Sequence, residues 1–183
     1  MHLFLDRIPS PIGTIVLVSD GESLSALEFE DHQDRLHEWL RRRYPDAKLA
    51  PGPAARDTAT RITAYFAGDL AALDAIPVRT RGTPFQERVW AALRRIPPGT
   101  TTTYGRLAAT IGAPTASRAV GLANGANPVS LIVPCHRVIG ADGSLTGYGG
   151  GLPRKRWLLR HETGARAGCA NAEKEIAAFV PSQ

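Results

Sequence analysis

Asn127-Pro128-Val129-Ser130-Leu131-Ile132-Val133-Pro134-Cys135-His136-Arg137-Val138-Ile139-Gly140 is an apolar run, closed by a proline and followed by a Cys-His-Arg triplet. The triplet sets a candidate nucleophile beside a candidate base. Alone, a Cys-His pair is a weak signal, because neighbours on an extended chain point to opposite faces and a lone Cys is more often a small buried hydrophobe. A free thiol, with a pKa of about 8.5, is only a few per cent thiolate at neutral pH, and full ionisation needs about 2 kcal/mol of help from its surroundings.

Upstream, the pattern is helical. Thr83, Pro84 and Gln86 have the arrangement of an N-cap, a first helical position and a capping box, and Phe85, Val89, Leu93 and Ile96 form one apolar stripe. Pro97-Pro98-Gly99 ends this helix. A second helix is expected over Tyr104 to Ile111, a turn at Gly112-Ala113-Pro114, and a third helix over Thr115 to Asn124. Two short helices across a Gly-containing turn have the proportions of a helix-turn-helix. On the third helix, Ala116, Val120 and Ala123 share one side, while Arg118 lies opposite with Thr115, Gly121 and Leu122. The small residues Ala119, Gly121 and Ala123 would let that helix approach a groove closely.

The N-terminal third alternates as strands do. Ile12 to Val18, a turn at Asp20-Gly21, and Leu24 to Phe29 read as a hairpin. Asp31 to Tyr44 carries Leu36, Trp39 and Leu40 at helical spacing, and Arg41-Arg42-Arg43 suits the helix end. Ala50-Pro51-Gly52-Pro53 reads as a loop, and Thr58 to Phe66 as a helix stopped at Gly68. A boundary near residues 77–83 divides the chain into an N-terminal α/β unit (1–80) with a small antiparallel sheet, a mostly helical C-terminal unit (81–165) and a tail (166–183) with one weak helix, Ala170 to Phe179. There are no internal repeats.

Composition narrows the classes. The chain has 183 residues, 43% of them hydrophobic, enough for a real core. Its two cysteines, Cys135 and Cys169, cannot make a disulfide framework or a Cys-rich metal cluster, which fits a reducing compartment. No apolar run approaches the roughly 18 residues of a membrane span, and Asp6-Arg7 interrupt the short apolar start, so a cytoplasmic or nucleoid-associated protein is expected. The formal net charge is +5. Residues 84–162 hold 10 basic against 3 acidic side chains, whereas residues 1–83 hold 10 against 12. The positive excess lies with Cys135, and reads either as a solvated basic face or as the place where a polyanion docks.

The Cys-His segment, Gly147-Tyr148-Gly149-Gly150-Gly151-Leu152 and Arg154-Lys155-Arg156-Trp157-Leu158-Leu159 together resemble the O6-alkylguanine-DNA alkyltransferases, the methylated-DNA-protein-cysteine methyltransferases. The resemblance extends through Gly82-Thr83-Pro84-Phe85-Gln86, Val89-Trp90, Ile96-Pro97-Pro98-Gly99 and Thr103-Tyr104-Gly105, and more thinly through Ser10-Pro11-Ile12-Gly13 and Tyr65-Phe66-Ala67-Gly68. It implies a ribonuclease H-like N-terminal unit and a winged-helix-like C-terminal one. It also implies irreversible transfer of an alkyl group from O6-alkylguanine, with O4-alkylthymine as a second substrate, to Cys135 in a single turnover. The partner is duplex DNA, bound by a protein that is monomeric when free and can cluster on DNA, and no cofactor is needed.

By the same resemblance, His136 meets the thiol through a water and Glu162 through its other ring nitrogen. Arg118 would fill the place of a flipped nucleotide, and Tyr104 would rotate the flanking phosphate and protonate guanine N3. The carbonyls of Cys135 and Val138 would accept from the guanine amine, and the Tyr148 to Gly151 loop would close over the base. Gly149 departs from the Ser of some relatives and leaves only its backbone N–H to donate to O6. Asn127 would hold the turn before the active-site strand, and Arg137, Thr115, Ala119 and Gly121 complete the expected substrate and DNA contacts. Some relatives bind zinc through N-terminal Cys and His, but only His2, His32 and His37 are present here, so no structural zinc is expected. The rival classes are a lesion-binding module that lacks repair, a helix-turn-helix regulator with an incidental Cys, and a cysteine hydrolase. Cys135 argues against the first, and the others require sequence-specific base contacts or turnover on acyl substrates.

Overall fold

A computed structural model describes residues 1–55 and 57–164. The first half is a four-stranded sheet in the order β3-β2-β1-β4, built from β1 (His2–Ile8), β2 (Ile15–Ser19), β3 (Leu24–Phe29) and β4 (Lys48–Pro51). The expected hairpin is present as β2 and β3. The sheet is mixed rather than antiparallel, because β4 pairs parallel to β1 with Leu3 opposite Leu49. Neither β1 nor β4 was expected: β1 is broken by Asp6 and Arg7, and the outer strand β4 ends in Pro51, a pattern that reads as a loop but suits a sheet edge.

Strands β2 and β3 are buried along their whole length. Val16, Val18 and Ala26 pack under α1 (Gln33–Arg43) with Leu36 and Tyr44, while Ile15, Leu17, Leu27 and Phe29 enter the main core on the other face. That core continues through α2 (Thr58–Phe66) into α3 (Pro84–Leu93), α4 (Tyr104–Thr110) and α5 (Ser117–Gly125). Trp90 Nε1 donates to the Ala123 carbonyl at 2.9 Å, pinning α3 to α5. Helix α5 starts two residues later than expected, at Ser117, with Ala116 as its uncapped N-cap. A parallel pair, β5 (Thr102–Thr103) and β6 (Val138–Ile139), precedes α6 (Leu152–Glu162).

The stretch before Cys135 is not a strand. Leu131 has φ of 74° and the chain turns between Pro128 and Pro134. Its apolar composition serves burial, since Val129 to Val133 are all buried. It docks on the open edge of β3: Leu27 N donates to the Pro128 carbonyl at 2.8 Å, and Ser130 N to the Leu27 carbonyl at 3.3 Å. The N-terminal sheet edge thus holds the segment that delivers Cys135. Cys169 and the expected helix over Ala170 to Phe179 lie outside the described residues.

The capping box forms as expected, with Thr83 accepting from Gln86 N at 3.3 Å and Gln86 Oε1 accepting from Thr83 N at 2.9 Å. Thr83→Ala should cost about 1 kcal/mol of unfolding free energy. In urea denaturation this appears as a lower midpoint with an unchanged slope.

Candidate active site

Cys135 opens a single 3-10 turn, Cys135–Arg137, between Pro134 and β6. The turn directs consecutive side chains differently from a strand. Cys135 is buried, and its Sγ accepts from Asn127 Nδ2 at 3.2 Å. The same amide donates to the Val133 carbonyl at 2.8 Å, and Asn127 Oδ1 accepts from Val129 N at 3.0 Å. Burial pushes the Cys135 thiol up, while the Asn127 hydrogen bond and the Lys155 charge oppose that rise.

His136 turns the other way, its Nε2 lying 2.8 Å from Glu162 Oε1, with both side chains fully buried. Glu162 is the hub. Oε1 also accepts from Arg137 Nη2 at 2.8 Å and Tyr65 Oη at 2.9 Å, and Oε2 accepts from Arg137 Nε at 2.9 Å and Gly99 N at 3.2 Å. Burial alone would raise the Glu162 carboxyl, but the His136 and Arg137 hydrogen bonds outweigh it and hold the group far below the usual carboxylate range. An ionised carboxylate only accepts, so His136 Nε2 carries the hydrogen. Burial lowers the His136 pKa despite the Glu162 bond, so the ring is neutral and Nδ1 keeps its lone pair. Among the described residues Nδ1 has no protein partner. Gly99 has φ of +74°, and a Cβ there would stand 2.9 Å from the Glu162 carbonyl, which explains the glycine after Pro97-Pro98.

Arg137, expected on substrate or DNA, is instead buried on Glu162, with Nη1 donating to the Ile96 carbonyl. A buried carboxylate left unpaired would be strongly destabilising, and Arg137 supplies its partner. Val138 is buried, and its carbonyl already accepts from Lys155 Nζ at 2.6 Å. Lys155 Nζ also donates to the Thr146 carbonyl at 2.6 Å, and burial lowers its pKa to about 8. Tyr65 and Lys155 were not among the expected site residues. Their signal was helical spacing: Tyr65 shares the buried side of α2 with Ile62, and Lys155 shares that of α6 with Leu158 and Glu162.

Tyr148 sets its ring edge-on to His136 at 6.3 Å between centroids, and its buried Oη has no partner among the described residues. Burial raises its pKa well above the usual value. Gly149 packs beneath the Arg35 guanidinium of α1. Tyr104 lies against Gly121, and its Oη accepts from Thr146 Oγ1 at 3.1 Å. Thr115, Arg118 and Ala119 are exposed at the start of α5 together with Leu122, which is 72% exposed. One group of the expected residues therefore gathers around the Cys135 turn, and another forms the outer face of α5. No group of three His, Cys, Asp or Glu side chains suited to a metal stands together among the described residues, and none of their helices is long and apolar enough to cross a membrane.

Family models match almost all of the described chain. Residues 5–80 match 6-O-methylguanine DNA methyltransferase, ribonuclease-like domain, and residues 84–164 match its DNA binding domain. The methylated-DNA–protein-cysteine methyltransferase of Salmonella typhimurium is 47% identical over 88% of this chain and 96% of that protein. Its counterpart in Mycobacterium tuberculosis is 50% identical over 85% and 89%. The crystal structure of Mycobacterium tuberculosis OGT in complex with DNA superposes with a TM-score of 0.75 at 44% identity, covering 94% of this chain and 99% of that one. An archaeal O6-methylguanine-DNA methyltransferase from Pyrococcus kodakaraensis gives 0.63 at 25% identity over 87% and 98%.

Glu162→Gln leaves Arg137 buried opposite a neutral amide and should lower the unfolding free energy by about 3–5 kcal/mol. Since the folded carboxyl titrates below its unfolded value, its contribution is full at neutral pH and fades as pH falls below about 4.3 toward the lower folded value. Urea denaturation across that window should show the loss in the parent protein and a flatter profile in the variant.

Proposed function

The chain belongs to the 6-O-methylguanine DNA methyltransferase family and repairs DNA by moving an alkyl group from methylated DNA to a protein cysteine; from this premise we propose that Cys135 is the acceptor and that one molecule acts once. The observation that carries the reading is the Asn127-Cys135-His136-Glu162 array: a buried sulfur held by an amide, beside a neutral imidazole fixed by a buried carboxylate. It has the logic of a Cys-His-acid triad.

The free protein stores a neutral thiol. When the alkylated base arrives, the Sγ proton passes to His136 Nδ1 through a water. Sγ attacks the alkyl carbon, the carbon–oxygen bond breaks with its electron pair on guanine O6, and the base is protonated at N3 by Tyr104. His136 returns a proton to Tyr104 through solvent, so thiol and O6-alkylguanine become thioether and guanine. The thioether is inert to the array, which has no second nucleophile, and the reaction therefore ends after one transfer.

A buried sulfur cannot meet a base inside a duplex, so the nucleotide must leave the stack. Helix α5 and the turn before it supply the grip: the exposed Thr115, Arg118 and Ala119, with the small Gly121 behind them, suit the minor groove, and Arg118 fills the vacated place. The Tyr148 to Gly151 loop covers the base, Gly149 N donates to O6, and the remaining lone pairs of the Cys135 and Val138 carbonyls receive the guanine amine. O4-alkylthymine would enter the same way. We read residues 1–80 as a ribonuclease H-like unit and 81–165 as a winged-helix-like DNA-binding unit of a cytoplasmic protein, monomeric when free and able to cluster on DNA. Neither unit calls for a zinc ion or a cofactor.

Incubation with duplex DNA carrying O6-methylguanine should add one methyl group to Cys135, located by peptide mass spectrometry, and restore one guanine per protein molecule. Tight lesion binding with no mass change would make this a binding module. Cys135→Ser should abolish transfer and keep DNA binding. Arg118→Ala should slow repair of duplex by about tenfold, on the order of 1–3 kcal/mol, and slow reaction with free alkylated guanine far less. Equal losses on both substrates would contradict the flipping role.

A further inference from the structure

Two cations hold the loop that carries Tyr148 and Gly149, and a third packs against it. Lys155 binds the Thr146 carbonyl, and Arg154 donates from Nη1 to the Gly150 carbonyl at 3.0 Å and from Nε to the Ile12 carbonyl at 2.7 Å. Both are buried. The third, Arg35, reaches over from α1. Its guanidinium fills the space beside Gly149, where any Cβ would overlap Nη1. Nη2 donates to the carbonyl of Gly125, the last residue of α5, at 2.9 Å, and Nε stands 3.7 Å from Glu28 Oε2.

Arg35 is the least fixed of the three. Its side chain is 37% exposed and makes one hydrogen bond, and it backs onto a cavity of about 220 Å³ lined also by Glu28, Glu38, Trp39 and Asn127. The other groups around Cys135 are immobilised: Asn127 by three hydrogen bonds, His136 by Glu162, and Lys155 by backbone carbonyls. An alkyl group larger than methyl needs room beside the loop. Among the described residues around the loop, the Arg35 side offers both a displaceable side chain and empty volume behind it.

We propose that Arg35 is a specificity-determining residue: standing where a side chain of residue 149 would lie, it forms the yielding wall of the alkyl pocket and limits the size of the O6 group brought to Cys135. This rests on the reading above that the alkylated guanine enters against the Tyr148 to Gly151 loop. Arg35 touches no reacting atom. It acts by volume, held beside the loop by Glu28 and the end of α5.

The test uses full-length protein and duplexes carrying O6-methylguanine or O6-benzylguanine, with transfer to Cys135 followed by intact mass. Arg35→Ala should raise the benzyl-to-methyl rate ratio by about tenfold, the scale of a changed hydrophobic wall. Arg35→Gln should shift the ratio in the same direction by less, and Arg35→Lys least. Gly149→Ser should slow both transfers in the parent protein and much less in the Arg35→Ala background, a non-additivity expected only if the two compete for one space. An unchanged ratio in both Arg35→Ala and Arg35→Gln, or additive effects with Gly149→Ser, would overturn the assignment. Absence of methyl on Cys135 in the parent protein would instead contradict the proposed function itself.

Discussion

The Glu162 carboxylate, buried and accepting five hydrogen bonds, is the constraint on which the rest of the site depends. Its donors come from three places in the chain, α2, the turn after α3 and the Cys135 turn, and all meet it at the end of α6. An unpaired carboxylate at this depth would cost several kcal/mol, so the donors must assemble together or not at all. Arg137 neutralises the charge, which frees His136 from having to be a cation. The histidine is left as a neutral ring with its hydrogen on Nε2 and a lone pair on the opposite nitrogen, the form a general base requires.

The N-terminal half belongs to the site as much as the half that carries the cysteine. The β3 edge binds the chain at Pro128 and Ser130, Tyr65 bonds Glu162, and Glu28 and Arg35 stand near enough for their charges to act on the Cys135 thiol. Pairing the exposed N–H and C=O groups of β3 closes an open sheet edge, and here it also positions Cys135. Burial pushes the Cys135 thiol up, and Asn127 and Lys155 draw it down.

The helices were largely legible because their stops are local: the capping box at Thr83, Pro97-Pro98-Gly99, and the turn at Gly112 each act within a few residues. The β2–β3 hairpin was legible for the same reason. Strands β1 and β4 were not, since their partners are distant in sequence and polar or proline residues interrupt both. The apolar run before Cys135 has a strand's composition but a turn's backbone, because Asn127 and the two prolines override propensity. Cys135, His136, Glu162 and Asn127 were named from the sequence and form two hydrogen-bonded pairs, Asn127 with Cys135 and His136 with Glu162, joined through the Cys135 turn. Arg137 was misplaced there, because a basic residue in a basic segment reads as exposed until a buried carboxylate is found to need it. Lys155 and Tyr65 were missed because helical spacing marks them only as inward-facing, and says nothing of a lysine bound to carbonyls or a tyrosine bridging two halves.

The central claim is that ionised Glu162 fixes His136 as the neutral, Nε2-protonated tautomer. Nitrogen-15 NMR of the histidine ring at neutral pH measures this directly. The account predicts one proton-bearing nitrogen, Nε2, with a slowly exchanging, strongly hydrogen-bonded proton, and an unprotonated Nδ1. Both should persist in Cys135→Ser. A doubly protonated ring, or a proton on Nδ1 with Nε2 bare, would contradict it.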